Sequence, residues 1–404
     1  MSAALFDLAL RVAARERCGP VPRLLHNPAP VRENVVAVGV RRVGTVVHVR
    51  AAGPDGHIET GSGPAGLAAL VRAAGSSGCD LETGPTALIA TSAALRSLAG
   101  LARTYADPAR CADPDVAAGS ALAGWWVERA AHPGTTAVAN VLAISRQRFV
   151  LGVTPGADHA AVWRRALAVP AGLGGLHAWH RAVTGGPVLP GLDALREDDD
   201  WLLGIHQECL SEGRSWDRAE TLHLAAARLA SRCDAADLYD AALLGDPLWR
   251  ARGVHTGFVC HGEAVIGAGP QGKRVTIRAD RLDTRLKPGT AVVGWPGAPM
   301  SVMPETGNRF SGEVFATSVT EDGALMVTIG GLRRGYRPAA GERVTVMPAP
   351  PSISTIRSRR IALARLYKRR FSWLSQGVTP TAARRPVPLA VMIAAADDTD
   401  TTEE

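Results

Sequence analysis

Residues 275–299 come back 52 positions later. Val275-Thr276-Ile277 returns as Val327-Thr328-Ile329, and Arg281, Arg285, Gly289, Val292, Pro296 and Pro299 fall on Arg333, Arg337, Gly341, Val344, Pro348 and Pro351. That is nine identities in 25 positions, where composition alone gives about two. Upstream, Thr256-Gly257-Phe258-Val259 aligns with Ser311-Gly312-Glu313-Val314 across a three-residue length difference. Each unit reads as strand, strand, turn, strand: "HTGFVCHGEAVIG", "KRVTIRA" and "GTAVVGW", then "FSGEVFATSV", "ALMVTIG" and "GERVTVM". Two three-stranded units cannot each bury a face alone. One barrel with pseudo-twofold symmetry solves the problem, because closure removes the unpaired edges. Residues 253–351 are therefore expected to form a duplicated six-stranded β-barrel.

The rest of the chain points to a multidomain α+β protein, since 404 residues suit two or three domains. Residues 1–32 read as a helix over 3–17, with Leu5, Leu8 and Val12 on one face, followed by a Pro-rich connector. Residues 33–192 read as a mixed α/β domain. It begins with two or three antiparallel strands in 34–61, then a helix over 65–74, a strand "TALIAT" and a helix "AALRSLAGLARTY". Further strands are expected in 136–154 and a helix over 157–168, with the boundary in "VTGGPVLPGL". Residues 193–252 read as helical. One helix covers 194–212, a second starts at the capping box Asp217-x-x-Glu220 and a third at Asp234. Residues 352–404 read as a basic helical arm with an acidic tail.

Motifs that could carry chemistry are sparse. Gly61-Ser62-Gly63-Pro64-Ala65-Gly66 matches a dinucleotide-binding pattern, but such a site needs a strand running into the loop and a carboxylate about twenty residues on. Pro64 also removes one of the amides the site would use, so a Gly-rich turn that starts a helix is expected. His177-x-x-His180 and His206-x-x-Cys209 have metal-type spacing but lack a Cys-rich knuckle. Cys260-His261 places a thiol and an imidazole on opposite faces of a strand. No cofactor, metal or catalytic residue is assigned.

The acidic run "REDDDW" (196–201) fans around a helix and is expected to be a solvated first turn. A meander followed by a helix is also the order of nuclease-type ribonuclease-H folds. The first long strand here, "VVAVGVRRVGTVVHV", has no carboxylate, and two-metal chemistry needs one. The second and third helices of the helical segment would meet as a helix-turn-helix, but the would-be recognition helix carries Asp237 and Asp240 and no cation. It would repel phosphate.

Charge is the stronger clue. From residue 351 on there are nine Arg or Lys, all between Arg357 and Arg385, and the only acids are five in the last eight residues. Residues 1–350 hold 36 basic and 33 acidic groups and are nearly balanced. Wound as a helix, 356–374 places Ile356, Leu363, Leu366, Tyr367, Phe371 and Leu374 on one broad arc, with Arg359, Arg360 and Arg370 intruding on it.

The expectation is a non-enzymatic nucleic-acid-binding subunit of a DNA- or RNA-handling assembly. Arg357, Arg359, Arg360, Arg365, Lys368, Arg369 and Arg370 would contact phosphates, and Tyr367 and Phe371 would stack on bases. The alternatives are an adaptor that binds another protein through the arm and the 387–393 segment, and an enzyme whose site is dispersed. Six scattered cysteines without a CxxC pair, an N-terminus without a signal core and no apolar run long enough to span a bilayer point to a cytoplasmic protein.

Overall fold

The structure, a computed structural model, describes residues 3–29, 31–32, 34–75, 84–217, 222–265, 274–304, 306–333, 336–367 and 390. The chain opens with α1 (Ala3–Glu16) and a short strand β1 (Val21–Pro22). A meander of β2 (Val35–Val43), β3 (Val46–Ala52) and β4 (Ile58–Ser62) leads into α2 (Pro64–Ala74). Then come β5 (Thr86–Ile89), α3 (Ala93–Thr104), α4 (Pro114–Arg129), β6 (Val138–Asn140), α5 (Val141–Arg148) and β7 (Phe149–Val150). Helices α6 (Ala160–Ala166), α7 (Gly174–Thr184), α8 (Asp193–Ser211), α9 (Leu222–Leu243) and α10 (Pro247–Thr256) follow. Strands β8 (Cys260–Val265), β9 (Val275–Ala279), β10 (Ala291–Pro296), β11 (Phe310–Val319), β12 (Leu325–Gly330) and β13 (Arg343–Pro348) precede α11 (Ile353–Tyr367).

The first sheet has the order β4-β3-β2-β5-β6, with β5 parallel to β2 and β6 parallel to β5. Alternation along the strands sends Val36, Val38, Val49 and Ala51 to one face, where Leu67, Leu98 and Trp126 cover them. Ala37, Ala52, Leu88 and Ala139 point to the other, under Ile144, Trp179 and Val183. The sheet is thus a middle layer with α2, α3 and α4 on one side and α5 and α7 on the other.

The C-terminal strands close into a barrel in the order β10-β11-β12-β9-β8-β13. Its interior is filled by Val275, Ile277, Val292, Phe310, Val327, Ile329, Val344 and Val346, so it is a packed core rather than a channel. Between β9 and β12, Thr276 pairs with Thr328, and Val275 with Ile329. Between β10 and β13, Gly294 pairs with Val346, flanked by Val292 with Pro348 and Pro296 with Val344. A shift of 52 residues carries both ladders onto themselves. Gly289 (φ 89°) and Gly341 (φ 81°) occupy matching turns. Gly289 N–H donates to Val314 O at 2.9 Å, and Gly341 N–H donates to Ala264 O at 2.9 Å.

Several expectations change here. The upstream alignment of Thr256–Val259 with Ser311–Val314 is displaced. His261-Gly262-Glu263-Ala264 occupies the positions of Ser311-Gly312-Glu313-Val314, since Gly262 and Gly312 pair with Val344 and Val292 respectively. Residues 254–256 close α10 instead of opening a strand, because Asp246 caps that helix by accepting from Leu248 N and Trp249 N. The expected strand over 141–148 is helix α5, whose cap Asn140 accepts from Ala143 N. Its Val141, Ile144, Ser145 and Arg148 are buried at helical spacing. Asp234 starts no helix; it lies inside the continuous α9. Leu5, Leu8 and Val12 of α1 are exposed, while Ala14 is buried. Helices α4 and α7 were not expected; Asp113 caps α4 ahead of Pro114 at its first position.

Candidate nucleic-acid interface

Helix α11 leaves the barrel after Pro348 and returns to the helical layer. Ile356 is buried beside Leu24, Leu195, Ala235, Leu238 and Tyr239, with Ile353 half-buried in the same cluster. This apolar foothold puts the next turn against two acidic helices. Arg360 Nε donates to Asp234 Oδ2 at 2.7 Å, and its Nη1 reaches Asp198 Oδ1. Arg359 also pairs with Asp234, and Arg357 Nη2 donates to Glu197 O at 3.2 Å. Beyond this turn Ile361, Ala362 and Arg365 are exposed, and Arg365 has no ion pair among the described residues.

The residues expected to bind phosphate therefore divide. Arg360 is 9% exposed and held inside the chain. Arg357 and Arg359 are partly exposed and partly paired. Arg365 faces solvent. Tyr367 ends the described helix, its side chain outside the description, and Lys368, Arg369, Arg370 and Phe371 lie outside the described residues.

The acidic run at the start of α8 is not the solvated turn expected of it. Asp198 and Asp199 are fully buried, and each of three consecutive aspartates takes a different arginine. Asp198 takes Arg360 of α11. Asp199 Oδ1 accepts from Arg129 Nε of α4 at 2.8 Å, and its Oδ2 accepts from the Thr135 and Thr136 hydroxyls, each at 2.9 Å. Asp200 Oδ1 accepts from Arg32 Nη2 at 2.6 Å. Adjacent carboxylates fan around a helix, so no one ion can collect all three, but three cations on separate elements can. The run works as a hub that ties the arm, α4 and the N-terminal connector to α8.

The remaining motifs separate in space. His180 is buried in α7, on the α5 side of the sheet. His206 bonds Ala121 O at 3.1 Å on the α4 side, next to Trp125. Burial lowers the pKa of both imidazoles, that of His180 to about 4. Among the described residues no group of three or more His, Cys, Asp or Glu side chains could hold a metal ion. Cys260 is buried in the barrel, and desolvation pushes its thiol up to about 12. His261 points outward to Val344 O at 2.9 Å. Gly63 (φ 55°) begins α2 directly after β4. Side chains at Gly61 and Gly66 would collide with Ala65 and Val49, so these glycines serve close packing of strand on helix. No helix among the described residues is long and apolar enough to cross a membrane.

No protein-family model, curated protein or solved structure matches the chain.

Proposed function

We propose that the protein is a non-enzymatic nucleic-acid-binding subunit of a DNA- or RNA-handling assembly, working in the cytoplasm. The observation that carries this is the change of role along α11. Ile356 and Arg360 fix its first turns to α8 and α9, and beyond them Ile361, Ala362 and Arg365 are exposed. A fixed origin lowers the ordering cost of the cations that follow, because they start from an immobilised helix. Arg365, Lys368, Arg369 and Arg370 contact phosphates in this reading, Tyr367 and Phe371 stack on bases, and Arg357 and Arg359 contribute from the rim.

Fluorescence anisotropy of a labelled single strand and a labelled duplex across salt tests it. Four neutralised phosphates give a slope of log K against log salt of roughly −4. Changing Arg365, Lys368, Arg369 and Arg370 to Gln flattens that slope. Absence of salt-sensitive binding to DNA or RNA near about 50 mM salt ends this reading.

A second reading has one observation in its favour. Ile361 is 50% exposed on the same free side of α11, which suits a protein partner seated on the arm. An adaptor of this kind would be captured with a partner that neither nuclease nor salt removes.

We also propose that the barrel is an internal duplication within a multidomain chain divided at about residues 32, 192, 252 and 351. The self-mapping ladders around Thr276 and Thr328, and around Gly294 and Val346, support it.

A further inference from the structure

The hairpin of β2 and β3 runs past the helices that cover the rest of its sheet. Helix α7 protects Ala37 and Ala52, and Leu173 just ahead of it reaches Gly39. Beyond that point one face of β2, β3 and β4 is open. The register fixes what stands on it. Arg41, His48 and Ser62 form one row, and Gly39, Arg50 and Thr60 form the next. All of these are exposed apart from Gly39, which is half-buried.

Three features distinguish this face from an ordinary solvated sheet. Among the described residues it carries no carboxylate: Glu59 sits between Ile58 and Thr60 and so points to the other side, where it pairs with Arg72 at 2.9 Å and with His57. The side chains of Arg41 and Arg50 have no hydrogen-bond or ion-pair partner among the described residues, whereas Arg129, Arg359 and Arg360 are tied to aspartates. Each row joins a cation to a hydroxyl, and the rows lie about 7 Å apart, two residues along a strand. Ser62 Oγ lies 2.7 Å from His48 Nδ1, which orients the imidazole within its row. Leu173 takes Gly39's place in the second row, so the open part of the face runs over Arg41, His48, Arg50, Thr60 and Ser62.

We propose that this face binds the phosphodiester backbone of nucleic acid, with Arg41 and Arg50 on successive phosphates and Ser62 and Thr60 donating to phosphate oxygens. A repeated cation–hydroxyl row matches a regularly repeating anion better than the irregular carboxylates of an acidic peptide. The inference rests on the nucleic-acid reading above and adds a surface independent of the arm.

The test uses the full chain and the same labelled single strand and duplex. The variants are Arg41→Gln with Arg50→Gln, and as control Arg42→Gln, which sits on the same strand but faces the opposite side. Melting temperatures confirm that each variant folds. The double variant is expected to lose about tenfold in affinity and to shorten the salt slope by about 2, while Arg42→Gln stays near wild type. The loss is also expected when the arm cations are already Gln. If the wild type binds and the double variant binds equally well, or if Arg42→Gln loses as much, the face is not the site and the arm reading survives. If the wild type binds no nucleic acid, both readings fall. Loss of binding only to anionic phosphatidylserine vesicles or to a poly-glutamate peptide reassigns the face and overturns the proposal.

Discussion

Arg360 of α11 closes two buried carboxylates at once: its Nε donates to Asp234 of α9 at 2.7 Å and its Nη1 reaches Asp198 of α8. The arm is therefore part of the body for its first turns.

Arg360→Ala leaves Asp198 and Asp234 without their shared cation in a buried site. The expected cost is about 3–5 kcal/mol, measured by urea denaturation, with faster proteolysis C-terminal to residue 353. Arg365→Ala, on the exposed side, is expected to stay within about 0.5 kcal/mol of wild type. Equal effects of the two changes would refute the anchoring role.

Matching turns of the barrel should respond alike. Gly289→Ala and Gly341→Ala each place a β-carbon on a residue with φ near 89° and 81°, at a cost of about 1–2 kcal/mol. Thermal melts of the two variants should agree closely. Gly312→Ala and Gly262→Ala should also pair, because a side chain at either would strike the neighbouring strand's backbone.

Two histidines give stability a definite pH dependence. Burial lowers His132 to about 3, aided by the charge of Arg129, and lowers His180 to about 4. Unfolded, both titrate near 6.5. Between pH 4 and 6.5 the unfolded chain binds more protons than the folded one, so stability rises with pH across that window and falls on acidification. The expected slope is on the order of 1 kcal/mol per pH unit for each histidine. Denaturation midpoints from pH 4 to 7 should flatten in His132→Gln and in His180→Gln.

Thiol reactivity separates the cysteines. Cys18 and Cys233 are exposed, and Cys260 is buried with its thiol pushed up to about 12. Iodoacetamide at pH 8, read by peptide mass spectrometry, should label Cys18 and Cys233 in the native protein. Cys260 should react only after denaturation.

The six barrel strands were legible because their signal is local. β-Branched alternation, glycines at turns and a 52-residue repeat all lie within the sequence, and closure follows from edges that must pair. The meander with α2 was legible for the same reason. Helix α5 was misread because an apolar β-branched run suits either state, and burial between sheet and α7 chose the helix. The capping Asn140 was the available signal.

The fate of charge was not legible. In sequence, Asp198, Asp199 and Asp200 look like one solvated acidic turn. Their burial depends on Arg360, Arg129 and Arg32, which approach from three elements up to 168 residues away. Arg41, His48 and Arg50 gave no motif either, since only the register of three strands sets them in rows. Periodicity and turn chemistry are short-range properties that a sequence determines by itself. Pairing of a charge is set by what the folded chain brings beside it, and here only the tertiary structure decided which arginines are spent inside and which stay exposed.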